Sequence, residues 1–357
     1  MGDAEPRPGL AECLAAVAPD LPGALVDDTA RRRMTAVAER IPGAMATFGF
    51  ECRLAEDDTE VDLGLAVTPE NGGSELLAAL DAPASGRPWA AGDRSWPRIH
   101  AFVRDWLDAA SPLGDWVPFL FMEFDVPTDP DPVPVPSVFL ALDAPLRGDE
   151  PEAIDVGYPP LAALRRACAL LAGEALAPEV DRMVLEAYRS LPANAWVMHA
   201  GVLLGRAATG VRLSIAAHGE AMPSYLAALG GDAAAAQAAA LIDALGDSVP
   251  WSQLDFDLAP AVLPRIGFGL QPSAPDGWSA LLEGVERRGW CTPEKRRALL
   301  GWSGRTPTSL AHGPCVLERH LSHVKLVCAP GRPTSAKAYL GVVPRRPPAP
   351  GAGPDLP

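Results

Sequence analysis

Arg212 in VRLSIAA, Arg265 in PRIGFGL and Lys337 in AKAYLGV occupy matching positions in three separate strand-like stretches. A lone basic residue on a strand is ordinarily solvated surface, but three at corresponding positions can converge on one anion. Lys325, in the preceding run LSHVKLV, falls on the same side as Lys337. Carboxylates share that side. Asp255 and Asp257 stand two apart in LDFDLAP, so both project from one face, where they can approach one Mg2+ or pair with neighbouring cations. Glu51 and Glu123 alternate in the same sense, and Glu123 in FMEFDVP can orient a ligand or close a salt bridge. His199 can serve as a base or as a hydrogen-bonded structural imidazole. His320 and His323, three apart in RHLSHVK, are expected on opposite faces of a strand, which argues against a shared metal. No G-x-x-x-x-G-K or G-x-S-x-G stretch occurs, and GFG at 267–269 lies inside a strand pattern, so neither a phosphate loop nor a hydrolase elbow is expected.

Composition narrows the ligand class. With 357 residues and 48% hydrophobic side chains the chain can bury a large core. Its formal net charge of −15 leaves no basic footprint for nucleic acid or an anionic membrane, so any anionic ligand needs a local cluster of Lys and Arg. No apolar run is long enough to span a bilayer, and MGDAEPRPGL is acidic and proline-punctuated, so neither a membrane span nor a signal peptide is expected and a cytoplasmic location is. The six cysteines are scattered with no C-x-x-C pair and read as buried thiols. Abundant Ala, Pro, Gly and Arg suggests a GC-rich bacterial genome.

Five segments, beginning near Phe48, Val117, Trp196, Ser252 and Leu321, each read as two alternating runs joined by a Gly, Pro or Asp-rich turn, the pattern of a β-hairpin. Helical patterns separate them. In PEVDRMVLEAYRSL, Pro178 opens a helix with an apolar stripe of Val180, Met183, Val184, Ala187 and Leu191, and in TPEKRRALLG Thr292 can cap with Pro293 in the first turn. The second strands superpose without gaps: one face is apolar in every copy, while the other carries Asp62, Gly64, Ser137, Phe139, Arg212, Ser214, Arg265, Gly267, Lys337 and Tyr339. Small residues with a few charges, rather than long solvated chains, suggest an enclosed cavity. The expectation is an α+β fold, a ten-stranded antiparallel β-barrel built from five αββα repeats with helices outside, as one domain over 1–344 with a Pro/Gly-rich, disordered tail over 345–357. An open antiparallel sheet with helices on one face is the rival architecture.

Five αββα units with a polar lumen resemble the ABBA aromatic prenyltransferases, over about residues 27 to 344. The resemblance implies a transferase of secondary metabolism, moving a prenyl group from an allylic diphosphate to an aromatic small molecule or peptide side chain, with no cofactor required or with Mg2+. It implies Arg212, Arg265, Lys325 and Lys337 as diphosphate ligands and Tyr339 as the shield of the allylic cation. Glu123 would be the acceptor carboxylate, and Glu51, Phe139 and His199 would contact the acceptor. The chain departs from that pattern where Ser214 follows Arg212 and Gly267 follows Arg265 in place of tyrosine; only Lys337 and Tyr339 keep the pair.

Those departures, with an acidic lumen, leave room for a non-catalytic barrel that binds a peptide or small polar metabolite as a biosynthetic accessory protein. A metal-assisted hydrolase or lyase using the lumen carboxylates is a third class, to which no spacing is specific.

Overall fold

Strand residues of period two put one apolar and one polar face on each hairpin, and burying every apolar face at once requires a curved sheet wrapped by helices. The computed structural model has this form; it describes residues 8–41, 45–55, 59–82, 93–128, 133–142, 158–206, 210–245, 251–311 and 313–346. Hairpins β1 (Thr47–Arg53) and β2 (Val61–Val67), β3 (Leu120–Phe124) and β4 (Ser137–Ala141), β5 (Trp196–Leu203) and β6 (Val211–His218), and β7 (Trp251–Leu258) and β8 (Val262–Leu270) follow one another around the sheet. β10 (Gly313–Cys328) and β11 (Ser335–Arg345) form the fifth hairpin, and β11 pairs back onto β1 from Phe48↔Val342 to Arg53↔Lys337. The result is a closed, ten-stranded antiparallel barrel, which leaves no open edge within the ring. All five hairpin turns lie at one end of it and the helical connections at the other.

An eleventh strand, β9 (Gly304–Leu310), was not expected from the sequence. It pairs with the first half of the long β10, outside the ring. Its GRTPTSL pattern is polar and interrupted by Pro307, which hides it from a search for alternating apolar residues.

Helices cover the outer face. α1 (Leu10–Val17) and α2 (Asp28–Ala38) precede the barrel; α3 (Gly73–Asp81), α4 (Ser95–Leu107) and the short α5 (Leu113–Trp116) join β2 to β3; α6 (Pro159–Ala172) and α7 (Pro178–Arg189) join β4 to β5. α8 (Met222–Ala228) and α9 (Asp232–Leu245) join β6 to β7, and α10 (Trp278–Arg287) and α11 (Pro293–Leu300) lead to β9. α7 starts at Pro178 and buries Val180, Met183, Val184 and Ala187 as expected, and Thr292 caps α11 through the Lys295 amide. Outward phenylalanines meet helix aromatics: Phe124 stacks on Trp96 at 6.5 Å and Phe256 meets Tyr225 edge-on at 5.8 Å. All six cysteines are buried and free, and burial pushes Cys52 and Cys168 up to about 12, so these thiols are core packing. No described helix is long and apolar enough to cross a membrane. β11 runs through Arg345, the first residue assigned to the tail, and 347–357 lie outside the described residues.

Candidate functional site

The inward face of the barrel encloses a chamber of about 250 Å³. At the helical end it is walled by Phe119, Phe121, Phe139, His199 and His320, and at its floor stand Glu51, Glu123, Asp255, Lys325 and Tyr339. Glycines make room for the rings: a Cβ on Gly64 would meet the tip of Phe121 at 2.5 Å, and one on Gly201 would overlap Phe139. Phe121 and Phe139 face each other across β3 and β4 with centroids 6.5 Å apart. Beyond the floor, a passage of about 30 Å³ bordered by Arg212, Arg265 and Lys337 leads to a vestibule of about 490 Å³ at the hairpin end. The three spaces share wall residues in sequence, so the lumen runs from an aromatic chamber through a charged neck to a polar mouth.

Cross-strand register builds the neck. Glu51 on β1 lies opposite Asp62 on β2 and Tyr339 on β11, and it accepts hydrogen bonds from Arg53 Nη1 at 2.6 Å, from Lys337 and from the Tyr339 hydroxyl. Burial opposes its charge, but Lys337, Lys325 and Arg53 outweigh burial and hold the carboxyl below its usual range. Asp255 is treated alike: burial opposes its charge, while Lys325 at 2.6 Å, Ser214 and Gln253 stabilise it. Asp257 takes Arg212 through two bonds of 2.7 and 2.9 Å, a fork that fixes both groups. Arg206 clamps Asp125 in the same way and lies 3.5 Å from Glu123.

Glu123 differs from its neighbours. It makes no hydrogen bond among the described residues, and burial together with the charge on Glu51 raises its pKa to about 7 despite Lys325, Arg206 and Lys337. Asp62, raised to about 6 chiefly by burial, likewise holds a proton near neutrality part of the time. Positive charge in the neck is therefore not fully cancelled. Arg265 is the exposed member of the basic set. It has no hydrogen bond or ion pair among the described residues, and partial burial beside Arg212 and Arg206 lowers its pKa.

Of the sequence-predicted site residues, Glu51, Glu123, Phe139, His199, Arg212, Asp255, Arg265, Lys325, Lys337 and Tyr339 border the chamber or the neck, while Asp257 lines neither and reaches the neck only through its partner Arg212. One expectation is corrected. His320 and His323 do not point to opposite faces, because a β-bulge between Leu321 and His323 shifts the phase of β10, and both imidazoles border the chamber. Of the two roles open to Asp255 and Asp257, the structure shows pairing with neighbouring cations, Lys325 with Asp255 and Arg212 with Asp257. Among the described residues the carboxylates that approach one another within 4.8 Å are Glu51, Asp62 and Glu123. Arg53 and Lys337 already bind Glu51 and Asp62, so two of the three carboxylates are committed to guanidinium and ammonium rather than arranged for Mg2+.

Tyr339 is also more constrained than a free shielding ring. His323 stacks on it at 4.1 Å and 11°, and Lys325 Nζ lies 4.7 Å from its centroid. Burial, with Lys325 nearby, lowers His323 to about 3, so this imidazole stays neutral, and its Nε2 is buried without a partner among the described residues. His199, lowered by burial, meets Phe119 edge-on at 5.8 Å. Sequence reasoning missed Arg206, which sits in the β5–β6 turn where period-two alternation gives no direction, and Phe119, which precedes β3.

No known protein-family model matches the chain, and a search of curated proteins finds no match. The barrel and its lumen are read from their own geometry.

Proposed function

We propose that the barrel is an aromatic prenyltransferase-like enzyme, joining the prenyl group of an allylic diphosphate to an aromatic acceptor inside the lumen. The observation that carries this reading is the order of three lumen spaces that share wall residues, from an aromatic chamber to a basic mouth where the Arg265 guanidinium has no partner among the described residues. An allylic diphosphate has the same division, an apolar tail and an anionic head. The head would lie at Arg265, with Arg212 and Lys337 behind it, and the tail would reach past Glu123 toward Phe121 and Phe139.

Ionisation breaks the allylic C–O bond, and the electron pair leaves with the diphosphate, whose developing charge the fixed cations stabilise in a site with little water. The allylic carbocation is favoured by the negative faces of the chamber aromatics. A ring carbon of the acceptor then forms the new C–C bond, and the proton lost on rearomatisation passes to the Glu123 carboxylate, which at about 7 is balanced between its two forms at neutral pH. Tyr339 positions Glu51 and Lys325 in this scheme, since His323 covers one of its faces. Mg2+ has no step here, because the residues do not fit it.

A second reading, a non-catalytic barrel holding a peptide or polar metabolite, is favoured by the pairing of Arg212 with Asp257 and of Lys325 with Asp255, which leaves those cations occupied. Incubation with dimethylallyl diphosphate and a panel of indoles and phenols, with and without Mg2+, separates the two. Diphosphate release with a prenylated product supports transfer. Absence of release, together with a metabolite or peptide retained in native mass spectra, supports the accessory role.

A further inference from the structure

A second guanidinium at the barrel mouth is without a hydrogen bond or ion pair among the described residues. Arg33 projects from α2, a helix outside the barrel, and borders the vestibule together with Arg265, Arg53, Arg206 and Lys337. Like Arg265, it has no hydrogen bond or ion pair among the described residues. Its neighbours on the helix are committed otherwise: Arg31 bonds Asp28 at 2.6 Å, and Arg32 bonds Thr29 at 3.1 Å. Of the carboxylates nearby, Asp125 is held by the fork of Arg206, Asp62 by Arg53 at 2.7 Å, and Asp27, on which Arg33 acts only through its charge, caps α2 through the Ala30 amide at 2.6 Å; Glu60 borders the same space.

Arg33, Arg53, Arg206, Arg265 and Lys337 outnumber Glu60, Asp62 and Asp125 on one 490 Å³ space, a local positive excess in a chain whose formal charge is −15. Guanidinium is the side chain suited to gripping phosphate oxygens in pairs, and it does so through a rigid planar fork. The interior cations Arg212, Lys325 and Lys337 are each held by a carboxylate, so an incoming polyanion meets the uncommitted donors first at the mouth.

We propose that Arg33 and Arg265 form a two-armed anion clamp at the hairpin end, selective for a diphosphate group over a single phosphate, with α2 acting as part of the binding site. The clamp rests on the transfer reading only for the identity of the group attached to the diphosphate. It adds a ligand-binding residue that stands on a helix rather than on the barrel wall.

Inorganic pyrophosphate is the probe. Calorimetric titration of the full chain is expected to show pyrophosphate binding at least tenfold tighter than orthophosphate, and weaker by about tenfold in Arg33→Ala. Arg33→Lys, which keeps the charge but not the fork, should recover only part of that loss, and Arg32→Ala, one position along the helix, should bind as the parent does. Unchanged affinity in Arg33→Ala, or equal binding of orthophosphate and pyrophosphate, overturns the clamp while leaving the transfer reading intact. Absence of pyrophosphate binding by the parent protein overturns both. Melting temperatures measured without ligand confirm that each variant is folded.

Discussion

Glu123 lies 3.5 Å from the Arg206 guanidinium, yet it titrates near 7, because burial and the charge of Glu51 outweigh that cation. The same lumen holds Glu51, which is as buried but drawn the other way by direct bonds from Arg53, Lys337 and Tyr339. Two carboxyls within 4.8 Å of one another are thus shifted in opposite directions, Glu51 below its usual range and Glu123 up to about 7, an arrangement that separates a fixed charge from a proton acceptor.

The first prediction follows from that contrast. Glu123 is harder to ionise in the folded chain than in the unfolded one, where 4.5 applies, so the stability its proton contributes is complete below about 4.5 and is lost as pH rises through about 7. Denaturation of Glu123→Gln should show a gain over the parent on the order of 2 kcal/mol at pH 8 and little difference at pH 4. Glu51 and Asp255, held below their usual range, act oppositely and lose their contribution on acidification. In an assay of transfer, Glu123→Gln should remove the limb of the pH–rate profile near 7.

Lys337 and Glu51 should behave as a unit. Lys337→Met leaves Glu51 buried with one partner fewer and is expected to cost about 3 kcal/mol. Combining it with Glu51→Gln should recover more than half of that loss, since no buried charge then lacks its partner. Additive losses in the double mutant would show that the two do not interact.

Arg212 and Arg265 occupy matching positions but should respond differently. Arg212→Ala orphans Asp257 and is expected to destabilise the fold by about 3 kcal/mol. Arg265→Ala breaks no ion pair among the described residues, so its ligand-free melting temperature should match the parent's while stabilisation by dimethylallyl diphosphate disappears.

The lumen glycines offer a test of chamber shape. At Gly64 the added methyl meets only the tip of Phe121, a side chain that can swing, so Gly64→Ala should fold normally and shrink the chamber. At Gly201 the methyl meets Phe139 and also the Val138 carbonyl at 2.9 Å, which cannot move away, so Gly201→Ala should cost about 1–3 kcal/mol. Equal melting temperatures for the two variants would contradict this packing.

The barrel was legible because period two survives wherever a strand is regular. The superposed second strands placed Asp62, Phe139, Arg212, Arg265 and Tyr339 on one face; the register confirms Asp62, Phe139, Arg212 and Tyr339, and Arg265 lines the same neck. Legibility failed where that period breaks. The bulge before His323 turned two imidazoles to one side, Arg206 and Phe119 lie outside strands, and β9 carries no apolar alternation. Pairing was the other blind spot: the sequence shows that Asp255 and Asp257 share a face with cations, but only the cross-strand geometry decides that Lys325 takes one and Arg212 the other. Arg33 could not be read at all, since a basic residue in the helical run ARRRM carries no signal that a barrel mouth lies beside it.

The most direct measurement is a crystal structure of the protein with dimethylallyl thiolodiphosphate, an analogue that cannot easily ionise. The expected density has both phosphorus atoms at the hairpin end against Arg265 and the five-carbon tail pointing inward past Glu123 toward Phe121 and Phe139. Density on the outer surface, or a lumen that stays free of analogue at saturating concentration, would contradict prenyl transfer within this barrel.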